Sequence, residues 1–328
     1  MDGPLLALSV LGVTVPVAAA GLGAGLLVEK VTSDAVVRER FWALAFLIPV
    51  VAAAAVPLAA PFLERPVVIK TAEGAVAQVP GAIDIQAAAP SPTQTLGDLA
   101  ALLAPTLLLS VLIVGIAAAA GLLLRRHIRL ALLIRKAGLL EDAALWQAVS
   151  RQSRTLKVRA PLLKTSDRAV SPMLAGLLKP AIIMPRALTH LPTDRLALIC
   201  GHELAHLKRG DNLRGWLESV LLAILWFNPF AGLVHARMAA AREERCDAIA
   251  LAQASPAHRR AYAESLVETL RLRAGPEPQS AFIGAGRKTA MRLKAILKPH
   301  NSAGRRAIAG VASIAVALTL AAGAGSVA

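Results

Sequence analysis

The sequence predicts an α-helical membrane protein with about four transmembrane helices and a cytoplasmic α+β domain. Three observations predict it. Hydrophobic residues make up 56% of the 328-residue chain against 17% charged, and the mean hydropathy is +0.58. The apolar residues fall into blocks of about 20 or more, the length a helix needs to cross a bilayer. Basic residues gather beside those blocks, as they do in cytoplasmic loops.

The blocks cover about 5–28, 41–63, 96–124 and 307–328. Ala18-Ala19-Ala20 in the first block looks cleavable, yet Asp2 and no basic residue precede it, which argues for a retained span over a signal peptide. Arg125, Arg126, Arg129, Arg135 and Lys136 follow the third block. Arg287, Lys288, Arg292, Lys294, Lys298, Arg305 and Arg306 precede the fourth. The positive-inside rule therefore expects three spans within 1–124, a cytoplasmic domain at 125–306 and a last span at 307–328. The loop at 64–95 is then periplasmic, and both termini lie outside a bacterial inner membrane. That loop reads as irregular, with a short strand at 67–69. Trp42, beside Arg38, Glu39 and Arg40, fits an interfacial anchor.

The net charge of +15 is accounted for by these loops. With aromatics at 3% and no basic stripe interleaved with them, no direct nucleic-acid partner is expected. Two cysteines, Cys200 and Cys246, exclude a disulfide scaffold and read as small buried thiols.

In the cytoplasmic region, 139–153 reads as a helix with Leu140, Ala144 and Ala148 on one face. Short strands are expected at 155–163 and 180–185, bounded by prolines. Thr193 is the expected cap of a helix over 194–209, with Gly210 as its stop. Further helices are expected at 234–254 and 258–273.

The chemistry lies on the 194–209 helix. His202 and His206 stand four apart, one turn along the same face, so both imidazoles can meet one zinc ion. Glu203, about 100° round the helix, reaches a water held there and is the candidate catalytic base. Zinc lowers such a water's pKa towards ~7. A surface helix with two histidines and a salt-bridging glutamate is the bland alternative, and a third ligand argues against it. Glu243 and Asp247 stand four apart on the 234–254 helix, suiting Glu243 to the metal and Asp247 to the outer nitrogen of a ligand histidine. Glu244 competes for the ligand role but lacks such a partner. A crossing at 215–234 would put Glu243 across the bilayer from the histidines. That apolar stretch is therefore expected to be a buried, membrane-surface or re-entrant helix.

Several stretches resemble one family. They are 171–176, Pro180-Ala181-Ile182-Ile183-Met184-Pro185, His202 to His206, Arg209-Gly210-Asp211, Asn228-Pro229 and Arg242-Glu243 to Cys246-Asp247. Together they are similar to the bacterial antirepressor membrane metallopeptidases, the beta-lactam sensor-transducers BlaR and MecR among them. The resemblance covers about 139–297. It implies a gluzincin-like zinc metallopeptidase fold with Glu243 as third ligand, and a substrate strand added near Ile182-Ile183. It also implies signal transduction through cleavage of a transcriptional repressor and of the chain itself. The sequence stops at Ala328, so no penicillin-binding sensor and no beta-lactam sensing are expected. The alternatives are a quality-control membrane peptidase of the HtpX type and a signalling scaffold with a structural zinc site. His190 and His235 are weak candidates for oxyanion donors, each more often a structural histidine. The expected partners are a protein substrate, the lipid bilayer and a second copy of the chain.

Overall fold

Apolar composition and a capped turn set the N-terminal helical pair. The computed structural model describes residues 3–63, 92–252, 254–274, 290 and 292–297. Helix α1 (Gly3–Val31) and helix α2 (Ala35–Leu63) join through a short turn in which Asp34 Oδ1 accepts from Val36 N at 2.8 Å. Trp42 is buried between them, its indole lying where a Cβ on Gly25 would come within 2.2 Å. Its Nε1 donates to Glu29 at 3.1 Å. The expected interfacial anchor is thus a packing residue, because glycine on α1 leaves a slot that the ring fills.

Helix α3 (Pro92–Lys136) exposes Leu107, Val111, Ile113 and Val114 along its length. Among the described residues, Ser9–Val31 and Thr106–Lys136 are long and apolar enough to cross a membrane. The fourth apolar block, the strand expected at 67–69 and most of the 64–95 loop lie outside the described residues. The last four loop residues already belong to α3.

Beyond α3 a four-stranded sheet runs in the order β1-β2-β4-β3. Strand β1 (Gly138–Leu139) pairs antiparallel with β2 (Leu162–Ser166), and β2 pairs parallel with β4 (Ala181–Pro185). Strand β3 (Met173–Ala175) pairs antiparallel with β4 and, among the described residues, has no strand on its other edge. β4 is therefore flanked on both sides and has no edge for a substrate strand, contrary to the expectation at Ile182-Ile183. Gly176, at φ +87, turns the chain from β3 towards β4. A Cβ there would also sit 2.5 Å from Lys179 O, so glycine is required twice over.

Helix α4 (Ala143–Leu156) starts later than its hydrophobic pattern suggests. Residues 138–139 pair as β1, and the side chain of Asp142 caps the helix by accepting from Leu145 N at 2.9 Å. Its buried face is Leu145, Val149 and Ser153, and it runs on through part of the stretch expected as strand 155–163. Helix α5 (Thr193–Arg209) packs between α4 and the sheet. Leu145, Val149, Ile182, Met184, Leu196, Cys200 and Leu204 form that core, each at most 2% exposed. Burying each large apolar side chain stabilises by roughly 1.5–3 kcal/mol. Pro192 precedes α5 and Thr193 is its first residue, so the threonine gives no side-chain cap. Gly210 ends the helix at φ +67.

Helix α6 (Asp211–Ile224) leads to a turn, and α7 (Pro229–Ala250) returns from it. Asn228 caps α7, its Oδ1 accepting from Phe230 and Ala231 N, while its Nδ2 donates to Thr14 O of α1 at 3.0 Å. Trp226 in the turn covers Gly115 of α3. The stretch 215–234 is accordingly a helical hairpin laid against the apolar helices. Because it reverses, α7 brings Arg242 back to 3.9 Å from Asp211 at the start of α6. Helix α8 (Pro256–Ala274) and the helical segment 292–297 close the end of α7 through Leu251, Tyr262, Ala263 and Ile296.

Candidate metal centre

α5 and α7 cross so that their chemical faces meet. His202 Nε2 and His206 Nε2 lie 3.2 Å apart, one turn along α5. Glu243 of α7 completes the triangle, 3.4 Å from His202 Nε2 and 3.5 Å from His206 Nε2. Three atoms ligating one tetrahedral zinc at about 2.0–2.2 Å stand about 3.3–3.6 Å from one another. The two imidazole nitrogens are near that spacing, and Glu243 approaches each with a different carboxylate oxygen, Oε2 towards His202 and Oε1 towards His206. Glu244 turns away to Arg38 of α2, so the competing ligand lies elsewhere.

Each histidine has a carboxylate behind it. His206 Nδ1 is 2.8 Å from Asp211 Oδ2, and His202 Nδ1 is 2.9 Å from Asp247 Oδ1. The second contact is close but bent, so the His202 N–H does not point along the line to the oxygen. Burial opposes charge on His202, yet Asp247 and Glu243 more than offset it and push the ring up to about 10. Burial likewise opposes charge on Glu243, while the His202 contact and Arg292 hold it down at about 2.

Glu203 is 7% exposed beside the triangle, and its Oε2 accepts from Leu174 N on the open edge of β3 at 2.7 Å. A cleft of about 800 Å³ joins this edge to the centre, lined by Ser171, Met173, Leu174, Asn212 and Arg292 among others. The buried Glu203 carboxylate, the candidate cation site and the outer edge of β3 thus share one cavity.

Three supporting residues carry no role in the motif spacing. Asp211 is held at about 2 by His206 and Arg209, which outweigh its burial. Tyr262 of α8 donates to Asp247 Oδ1 at 2.7 Å. Arg292 grips Asp247 through Nε at 2.8 Å and Nη2 at 2.9 Å, and Glu243 through Nη1 at 3.0 Å. In sequence Arg292 looks like one more juxtamembrane cation, and only its arrival in the cleft distinguishes it. Asp211 had a local signal, the first acidic residue after the helix stop.

Cys200 lies in the α4–α5 core, and burial pushes its thiol well up. Burial does the same to Cys246, whose Sγ packs 3.4 Å from His206 Nδ1 and 3.5 Å from Asp211 Oδ2. His206, Asp211 and Cys246 cluster closely enough for a second cation, but Arg209 at 3.1 Å already neutralises Asp211. His235 pairs with Glu218 at 3.2 Å and packs on Phe46, and His190 lies in the turn after β4. Neither lines the cleft.

A family model described as BlaR1 peptidase M56 matches residues 14–296. The chain belongs to that family. Over 89 residues it is 32% identical to the regulatory protein BlaR1 of Bacillus licheniformis. That stretch is 27% of this chain and 14% of that protein, so the chain matches only a small part of this relative's length. Membership in M56, with the apolar helices, points to a membrane-associated metallopeptidase connected with signalling.

Proposed function

We propose that the protein is a membrane-anchored zinc metalloendopeptidase of gluzincin type that cleaves cytoplasmic protein. The carrying observation is the triangle of His202, His206 and Glu243 with Glu203 beside it, all facing one cleft. His202, His206 and Glu243 hold the ion, and Asp247 and Asp211 orient the two rings. A zinc ion there supplies Lewis acidity, polarising the scissile carbonyl and acidifying water. Glu203 accepts the proton of the attacking water and passes it to the leaving amine. The substrate lies extended along the open edge of β3, where Leu174 N is the backbone donor nearest the base. In this reading the catalytic domain is cytoplasmic, four helices span the bacterial inner membrane, and the α6–α7 hairpin enters the bilayer from inside. A transcriptional repressor and the chain itself are the proposed substrates, in keeping with signalling by cleavage.

The test is proteolysis of an unfolded protein by the purified full chain in detergent. Glu203→Gln lowers kcat by about 10²–10⁴-fold while bound zinc stays at one per chain. Equal rates for both proteins sink the mechanism. Zinc lost along with activity in that variant would instead make Glu203 a ligand.

A further inference from the structure

We propose that Glu39, in the first turns of α2, is a positioning residue for the metal centre, acting on His206 through Arg209 and Asp211. The inference rests on the assignment of His202, His206 and Glu243 as metal ligands.

Glu39 has a side chain only 8% exposed, and a buried carboxylate persists only when paired. It meets Arg209 at the end of α5 in a close ion pair, Arg245 of α7 at 2.7 Å and Arg214 of α6 at 3.9 Å. Those are the three helices around the centre. Arg209 is engaged twice, because its Nε also donates to Asp211 Oδ2 at 3.1 Å. The same oxygen faces His206 Nδ1 at 2.8 Å. One guanidinium thus divides its charge between the carboxylate of an apolar helix and the carboxylate that orients a ligand ring.

The physical consequence has a sign. With Glu39 neutral, Arg209 neutralises Asp211 more fully. Asp211 then becomes a weaker acceptor for the His206 N–H, and the ring becomes a weaker, less fixed ligand. The effect is confined to one side of the centre. Asp247, behind His202, takes its guanidinium from Arg292 and, among the described residues, forms no ion pair with α2. The residue before Glu39 reinforces the connection, since Arg38 pairs with Glu244 next to the third ligand. Any change in the seat of α2 is therefore felt first at His206.

The experiment uses the full chain in detergent with zinc and cobalt(II) as probes. Glu39→Gln is expected to weaken zinc about tenfold in competition with a chelator, the low end for groups behind a ligand, and to shift the visible cobalt band. Glu39→Asp, which keeps the charge, restores most of the affinity. Arg237→Gln breaks a more exposed pair of α7 with α1, Arg237 Nη1 to Glu29 at 2.9 Å, and leaves both readings at wild-type values. A Glu39→Gln protein with wild-type zinc affinity and cobalt band overturns the proposal. So does a loss no greater than that of Arg237→Gln. Should Glu39→Gln not fold, an Asp211→Asn protein with wild-type zinc affinity and an unshifted cobalt band overturns the proposal, because Glu39 acts on His206 only through Asp211. Wild-type protein that binds no zinc overturns the ligand assignment itself, which separates the two failures.

Discussion

The two histidines of the centre are held from opposite sides of the molecule. Behind His202 stand Asp247, Tyr262 and Arg292, drawn from α7, α8 and the 292–297 segment. Behind His206 stand Asp211, Arg209 and Glu39, drawn from α6, α5 and α2. The two carboxylates do the same work with different support. Asp247 receives two guanidinium nitrogens and a phenol, all from elements away from the apolar helices. Asp211 receives Arg209, a guanidinium that it shares with α2, at 3.1 Å, with Arg242 more distant at 3.9 Å. One ring is therefore set by packing among α7, α8 and the 292–297 segment, and the other answers to the helix that carries Glu39. A site built this way can keep its ion while one ligand is tuned.

The comparison can be broken most directly at the carboxylates. Asp247→Asn is expected to weaken zinc about 100-fold, because it removes the buried charge behind His202 that two Arg292 nitrogens and the Tyr262 hydroxyl hold in place. Chelator competition measures it, and an effect smaller than that of Asp211→Asn would reverse the proposed asymmetry. Asp211→Asn should cost nearer tenfold, since Arg209 keeps Glu39 as a partner. Combining Asp211→Asn with Glu39→Gln should add little, because both act through one guanidinium. Full additivity in that double-mutant cycle would show the two to be independent. Tyr262→Phe is the smallest change, removing one hydrogen bond worth about 0.5–1.5 kcal/mol. It should weaken zinc by less than about tenfold and leave the cobalt band in place, which absorption spectroscopy reads directly.

Much of this centre is legible without coordinates. The His202–His206 pair follows from helical spacing, and the i, i+4 relation of Glu243 to Asp247 identifies a second face that suits a metal. Helix α5 needs only the Gly210 stop and its apolar run. The strands were harder. The short β1 and β3 carry too few residues to show a period, and the β2 segment is preceded by a helix that overruns the expected boundary to Leu156. The substrate edge was misplaced for a related reason. Ile182 and Ile183 have the β-branched character of a strand, but that character marks the buried middle of a sheet as readily as its edge. Trp42 looked like a lipid-facing anchor because its slot on Gly25 belongs to another helix.

What the sequence by itself determined is local: one face of α5 bearing two imidazoles and a carboxylate, one face of α7 bearing two carboxylates, and apolar blocks long enough for a membrane. Such features depend on residues within a turn or two of one another, where helical geometry leaves little choice. The tertiary structure alone decided the rest. It turned Glu243 towards the histidines and Glu244 towards Arg38, brought Arg292 into the cleft, opened the edge of β3, and tied His206 to α2. These contacts join residues up to 206 positions apart, as between Arg38 and Glu244, and they exist only where packing brings the helices together.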